Sequence, residues 1–179
     1  MKPILKRFAT LLLEWNCIHN LSGAKSLEDI EVHINDSIQV LDFIKPFDTC
    51  LDIGSGAGFP ALPLSVYCPH ARFILVEPNI KKSAFLHHVK NTLALDNLQI
   101  KRTRIQTLNP LEIERVDLIT SRALMPTQDL LALGMPFLKS GGYFLFYKGS
   151  QLANEITYNP HECFVYGKRV YFYHKGKPC

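Results

Sequence analysis

Asp52-Ile53-Gly54-Ser55-Gly56-Ala57-Gly58 is the stretch whose reading decides the fold. It follows the short apolar segment Cys50-Leu51 and leads into Phe59-Pro60-Ala61-Leu62-Pro63-Leu64, which can open a helix. A strand, a glycine turn and a helix N-terminus together make a nucleotide-binding corner. The dinucleotide fingerprint G-x-G-x-x-G requires its third glycine at position 59, and position 59 is Phe. What stands here is G-x-G-x-G, with an acidic residue two places before the first glycine.

Downstream, Ala71-Arg72-Phe73-Ile74-Leu75-Val76-Glu77 reads as a buried strand ending in a carboxylate. It lies about 20 residues beyond the glycines, where an acid that accepts both ribose hydroxyls is expected. Alone, Glu77 is equally a solvated loop charge before Pro78; after this glycine pattern the ribose reading wins. The loop resembles motif I of the S-adenosylmethionine-dependent methyltransferases. That cofactor carries no pyrophosphate, so the backbone need only approach its methionine and adenosine parts. Asp52 then holds polar groups of the cofactor or the loop, directly or through water.

Composition bounds the rest. A chain of 179 residues with 47% hydrophobic content is one domain with a full core. A net charge of +4 is compatible with a nucleic-acid partner without requiring one. Five cysteines form no C-x-x-C pair, which argues against a disulfide framework or a zinc site and for a reducing cytoplasm. His87-His88 are adjacent and point apart on a helix, so no metal is expected. No apolar run reaches membrane-spanning length, and Leu11-Leu12-Leu13 before Glu14 is too short for a signal peptide.

Helical spacing places Leu5, Phe8, Leu12 and Trp15 on one stripe of a helix over 3–19. Ser26 and Asp29 make a capping box for a second helix, with its stripe at Ile30, Ile34, Ile38 and Leu41 and its end at Pro46. Strands and helices then alternate: strands 49–53 and 73–77 flank a helix over 61–68. Asn79 caps a helix over 80–95 that buries Ala84, Phe85, Val89 and Leu93. Strands follow at 98–101 and 116–120, and Thr127 caps a helix ending near Pro136. Residues 139–142 turn into a strand at 143–147. A hairpin of 163–166 and 170–173, turning at Gly167-Lys168, closes the chain. Such alternation implies a mostly parallel sheet with right-handed crossovers. Residues 1–46 form a helical cap and 47–179 the cofactor-binding core of a single domain.

Further segments narrow the class. Trp15-Asn16 with Asn20-Leu21-Ser22, His33-Ile34-Asn35-Asp36-Ser37, and the loop from Asp52 through Pro60 with Pro63-Leu64 stand together with Glu77-Pro78-Asn79, Lys81-Lys82, Phe85-Leu86, Ser121-Arg122-Ala123 and Lys148-Gly149. In combination these resemble the RsmG/GidB family of bacterial 16S ribosomal RNA guanine-N7 methyltransferases, from about Leu12 to Gly149. Three features depart from the family pattern: Ala61 replaces a glycine, Arg104-Ile105-Gln106 carries Gln106 where the family has an acid, and the basic C-terminus is reduced to His174-Lys175-Gly176-Lys177.

The resemblance implies an α/β, Rossmann-like class I methyltransferase fold: a mostly parallel seven-stranded sheet with a C-terminal antiparallel hairpin and an N-terminal helical extension. It implies S-adenosylmethionine as cofactor, held by Asp52, Gly54, Gly56, Phe59 and Glu77, with adenine near Ile105 and Gln106. It also implies a cytoplasmic, monomeric enzyme acting on 16S ribosomal RNA or the small subunit. Guanine N7 offers an in-plane lone pair and no proton, so in-line placement suffices and no general base is needed. Arg122, ending the fourth strand, is placed to bind a phosphate, the guanine O6 or the cofactor's carboxylate; a surface salt bridge is the plain alternative. Lys148 has the similar position after the fifth strand, and the two are the catalytic candidates. His33, Asp36 and Ser37 share a helix face, open to RNA or the site; a local network fastening the helices to the sheet explains them equally well. Two other functions stand beside this one: a methyltransferase for a protein or small molecule, and a non-catalytic RNA-binding module suggested by Gln106.

Overall fold

Strand β1 (Thr49–Ile53) is buried along its whole length, and the rest of the chain is laid out from it. In the computed structural model, which describes residues 1–122, 124–149, 152–167 and 169–176, β1 pairs in parallel with β2 (Arg72–Val76) and β4 (Val116–Arg122). Outside these lie β3 (Leu98–Lys101) and β5 (Leu138–Lys148), also parallel. β7 (Arg169–Lys175) runs antiparallel between β5 and β6 (Cys163–Tyr166). The order is β3-β2-β1-β4-β5-β7-β6, a seven-stranded, mostly parallel sheet with an antiparallel C-terminal pair, as the resemblance implies. The chain leaves β1 toward β2 and returns beyond it at β4. The carboxyl ends of β1 and β4 therefore flank a switch point, where open α/β sheets bind ligands. Ala123, Lys168, Lys177 and Cys179 lie outside the described residues.

Alternation along the strands divides the core. Cys50, Phe73, Leu75, Leu145, Tyr147 and Tyr171 turn to the face covered by α1 (Pro3–His19), α2 (Leu27–Ile38), α3 (Ala61–Tyr67) and α4 (Ile80–Thr92). Leu51, Ile53, Ile119, Phe144 and Phe146 turn to the face carrying α5 (Thr127–Gly134) and the short α6 (Leu152–Glu155). The helix signals act as read: α1 buries Leu5, Phe8 and Leu12, Ser26 and Asp29 close a capping box on α2, and Asn79 accepts from the N–H groups of Lys81 and Lys82 at the start of α4. Among the described residues no helix is long and apolar enough to cross a membrane.

Several local expectations differ from the structure. α4 buries Ser83 and Leu86 beside Phe85 and Val89, while Ala84 is exposed, so the stripe is rotated toward Leu86. That helix stops at Thr92 because Ala94 turns left-handed, at φ 52°. α2 ends at Ile38, and a 3-10 turn over Gln39–Asp42 carries Leu41, well before Pro46. Thr127 is the first helical residue of α5 rather than its cap, which is Pro126; its N–H and hydroxyl both donate to Glu155 instead. β5 begins at Leu138, so residues 139–142 belong to an irregular strand opening with a register shift against β4. β2 ends at Val76, which leaves Glu77 free to bend back over the glycine loop.

One bond ties the N-terminal helices to the sheet from inside the core: the Tyr147 hydroxyl donates to the Ser37 carbonyl at 2.7 Å, fully buried. We expect Tyr147→Phe to lower stability by about 1–3 kcal/mol, because the carbonyl is left unsatisfied. Denaturant unfolding checks this, and an unchanged midpoint and slope would show that the carbonyl finds another donor.

Candidate active site

Gly54 and Gly56 sit at φ 75° and 58°, so the loop after β1 turns through a region that side chains avoid. The N–H groups of Gly54 and Ser55 donate to the Val76 carbonyl, at 2.9 and 3.2 Å, pinning the loop to the end of β2. Glu77 completes the cradle. Its Oε2 accepts from Gly56 N–H at 2.8 Å and its Oε1 from Asn79 N–H at 2.8 Å. A carboxylate offers about four acceptor positions, so each oxygen retains capacity for a ligand hydroxyl.

Two lobes of one cleft open on this loop. The first, of about 350 Å³, is lined by Gly56, Phe59, Glu77, His33 and Arg122, with Leu21, Ser22 and Gly23 at its N-terminal side. The second, of about 470 Å³, is mostly apolar and is lined by Ile53, Val76, Ile105, Gln106 and Met125. Gly54, Pro78 and Leu124 line both. A Cβ at Gly54 would come within 2.7 Å of the Leu124 side chain, so glycine there lets Leu124 sit at the junction. A lobe of mixed polarity beside a mostly apolar one matches a ligand with an amino-acid and ribose half and an adenine half.

Arg122 faces the first lobe from the end of β4. Its guanidinium lies 5.0 Å from the centre of the Phe59 ring and 3.4 Å from Asp36 Oδ2. Only 17% of the side chain is exposed, which excludes the plain surface salt bridge. Burial lowers its pKa while Asp36 works the other way. His33 lies against the same Phe59 ring, 5.5 Å between centroids. Burial, then the charge of Arg122, hold its pKa below the usual value against the pull of Asp36, which favours the neutral imidazole. Phe59, which breaks the dinucleotide fingerprint, is thus the aromatic wall that both side chains rest on.

Asp36 is the hub of this corner. Its Oδ1 accepts from Arg169 Nε at 2.8 Å and from the Tyr171 hydroxyl at 2.9 Å. Sequence reading missed Arg169; the signal was a basic residue beside a hairpin turn, which alone says nothing. Ser37 Oγ donates to the His33 carbonyl within the helix. The His33–Ser37 segment thereby sends one side chain to the cleft, one to the arginines and one to the core. Asn16 explains another motif: its side chain takes Ser22 N–H and donates to Ser22 Oγ and the Ala24 carbonyl, bracing the loop beside the first lobe.

The remaining sequence candidates fall as follows. Ile105 is buried and Gln106 exposed in a 3-10 turn on the second lobe. Lys148 does not line either lobe; its ammonium donates to the Met125 carbonyl at 3.0 Å and to Glu155 at 2.8 Å. Asp52 is buried beneath the loop. Its Oδ1 accepts from the Thr120 hydroxyl at 2.7 Å, and its Oδ2 has no hydrogen-bond partner among the described residues.

The profile of the GidB family, described as rRNA small subunit methyltransferase G, matches residues 1–178. The chain is 64% identical to the ribosomal RNA small subunit methyltransferase G of Helicobacter bizzozeronii over 97% of its own length and 96% of that protein's. It is 51% identical to the protein of the same name from Helicobacter pylori strain J99, over the same shares. Among solved structures it resembles coclaurine N-methyltransferase bound to N-methylheliamine and S-adenosylhomocysteine, with a TM-score of 0.59 and 17% identity over 79% of this chain and 43% of that one.

Asp52 gives a test that depends on no assignment. Burial pushes its carboxyl up to about 7, against the pull of the Thr120 bond. The folded value lies above the unfolded one, so the folded protein holds an extra proton in the interval between them. Stability contributed by the protonated form is present below the unfolded pKa and is lost as pH rises through about 7. We expect cofactor-free Asp52→Asn to gain stability relative to the parent as pH rises from 5 to 8, by a few kcal/mol at the upper end (~1.4 kcal/mol per unit). Thermal melts of both proteins across that range check it; a difference constant with pH would show that Asp52 stays ionised throughout.

Proposed function

The chain belongs to the GidB family of rRNA small subunit methyltransferases, and from that premise we propose that it methylates N7 of a guanine in 16S ribosomal RNA, using S-adenosylmethionine. The observation that carries the reading is the two-lobed cleft at the switch point, with Arg122 held over Phe59 at its polar end. In this reading residues 1–46 are a cap that supplies His33, Asp36 and the 21–23 loop to the core. The enzyme acts as a monomer on the RNA or on the small subunit.

The residues present fit the cofactor. Gly54 and Gly56 would let backbone approach it, Glu77 would accept from its ribose, and the second lobe, lined by Ile53, Val76, Ile105 and Gln106, would take adenine. The orphan oxygen of Asp52 marks a buried acceptor under the same loop. When bound, the cofactor would supply an electrophilic methyl on a sulfonium to the N7 lone pair, with the thioether as leaving group. No proton leaves N7, so the protein's task is placement and exclusion of water. Arg122 suits it, because its planar guanidinium has donors beyond the one on Asp36 that can reach guanine O6. His33, whose neutral form is favoured, lines the same lobe. Lys148 serves at one remove, fixing the Met125 carbonyl and hence the loop that carries Leu124.

Two experiments test the reading. We expect labelled methyl groups to enter 16S ribosomal RNA and to be recovered as 7-methylguanosine; label in protein or small molecules alone, or none, would overturn it. In single-turnover reactions with saturating RNA and cofactor, Arg122→Ala should lose at least about tenfold in rate, ~1.4 kcal/mol of transition-state stabilisation. Arg122→Lys should not restore it, since the fork is lost. A wild-type rate would make Arg122 structural. Separately, Glu77→Ala should weaken S-adenosylhomocysteine binding by about tenfold or more, through lost ribose bonds and a released Gly56 N–H. Calorimetry showing unchanged affinity in a folded variant would remove Glu77 from the site.

A further inference from the structure

We propose that the tip of the β6–β7 hairpin is a second RNA contact, in which the Tyr166 ring stacks on an unpaired base flanking the target guanine. This rests on the ribosomal RNA reading above and extends it to a surface outside the cleft. The register puts the tip at the right end of the sheet. β7 runs antiparallel to β5 with Val170 opposite Lys148, and Tyr166 stands opposite Arg169 across the hairpin. The turn at Gly167 therefore emerges at the same carboxyl edge as the cleft, three strands along from β4, roughly 14 Å at the usual strand spacing.

A line of contacts joins the two places. Arg122, in the cleft, and Arg169, paired with Tyr166 next to the hairpin turn, bind the two oxygens of Asp36. One carboxylate between two guanidiniums leaves net positive charge, which suits a phosphate backbone passing from one to the other. Tyr166 sits next to this charge with 37% of its surface open, and Val165 with 66%. The ring is not loose. It lies nearly parallel to Phe43, at 6.3 Å and 19°, and edge-on to Tyr171, at 5.9 Å and 74°. Tyr171 is in turn anchored through its hydroxyl to Asp36.

A fixed aromatic ring beside cations is what a single-stranded base uses, and such stacking tolerates any base because each has a π face. The chemistry also calls for it. Drawing a guanine into a cleft removes it from its neighbours, and the flanking base then lacks a stacking partner. Tyr166 supplies one.

The test uses the full chain and fragments of the methylated RNA carrying 2-aminopurine at the nucleotide on either side of the target guanine. One of the two probes should be quenched on binding to wild type and to Tyr166→Phe, and not on binding to Tyr166→Ala. Tyr166→Ala should raise KM for RNA at least fivefold, with kcat within twofold and cofactor affinity unchanged. Tyr166→Leu keeps an apolar side chain on Phe43 but has no π face, so it should behave as the alanine variant does if that one misfolds. Wild-type KM and quenching in both folded variants would overturn the proposal. So would a sedimentation shift from dimer to monomer in either variant, which would make the tip an interface between copies. A wild-type protein that methylates no RNA would instead defeat the functional reading itself.

Discussion

The Asp36 carboxylate is the contact on which the site depends. It comes from α2, in the N-terminal cap, yet its partners lie on β4 and β7 of the core. Only 12% of the side chain is exposed, so its charge is held by three partners rather than by water. Removing one member of such a group leaves the others uncompensated, which costs more than the pair's formation contributes. The cap is thus docked by the same bonds that aim Arg122. The Tyr147 bond to Ser37 and the packing of Phe59 on Phe8 fix the rest of that joint.

The glycine loop shows a different trade. The N–H groups of Gly54, Ser55 and Gly56 are taken up by Val76 and Glu77, but Asp52 beneath the loop has one oxygen with no donor among the described residues and a carboxyl pushed up to about 7. A buried half-satisfied acid opposes folding. It persists where a ligand makes use of it, and local rules broken without visible compensation are expected at functional sites. The acid two residues before Gly54 was legible as a motif position; its cost becomes visible only when Thr120 is seen to satisfy just one of its oxygens.

Features legible in the sequence were those set by local chemistry. Capping at Ser26 and Asn79 depends on residues three apart or fewer, and the glycine loop with Glu77 depends on a strand-turn-helix of fixed length. What escaped was decided by distant partners. Ala84 is exposed because the packing of α4 selects Leu86, a choice between neighbouring positions that a periodic stripe leaves open. Thr127 gives up capping because Glu155, 28 residues away, takes both its donors. Lys148 reads as a site residue from its strand end, yet that same Glu155 draws its ammonium away from the cleft. Arg169 could not be found, since its partner Asp36 is 133 residues earlier in the chain.

These placements suit a reaction that asks for orientation rather than proton transfer. Among the described residues His33 and Glu77 both line the first lobe, but no hydrogen bond or ion pair joins them as an acid–base pair. Glu77 is engaged with backbone N–H groups, and the buried thiol of Cys50 has its pKa raised well above the usual value by desolvation, which keeps it from acting as a nucleophile. What the cleft does present is a guanidinium on an aromatic wall, fixed by an ion pair to a second one on the adjoining hairpin. A site that must hold one purine in line with a methyl donor needs that rigidity more than it needs a base. Rigidity of this kind is built from the contacts between the cap, β4 and β7, so the N-terminal helices are part of the cleft's architecture and not an appendage to it.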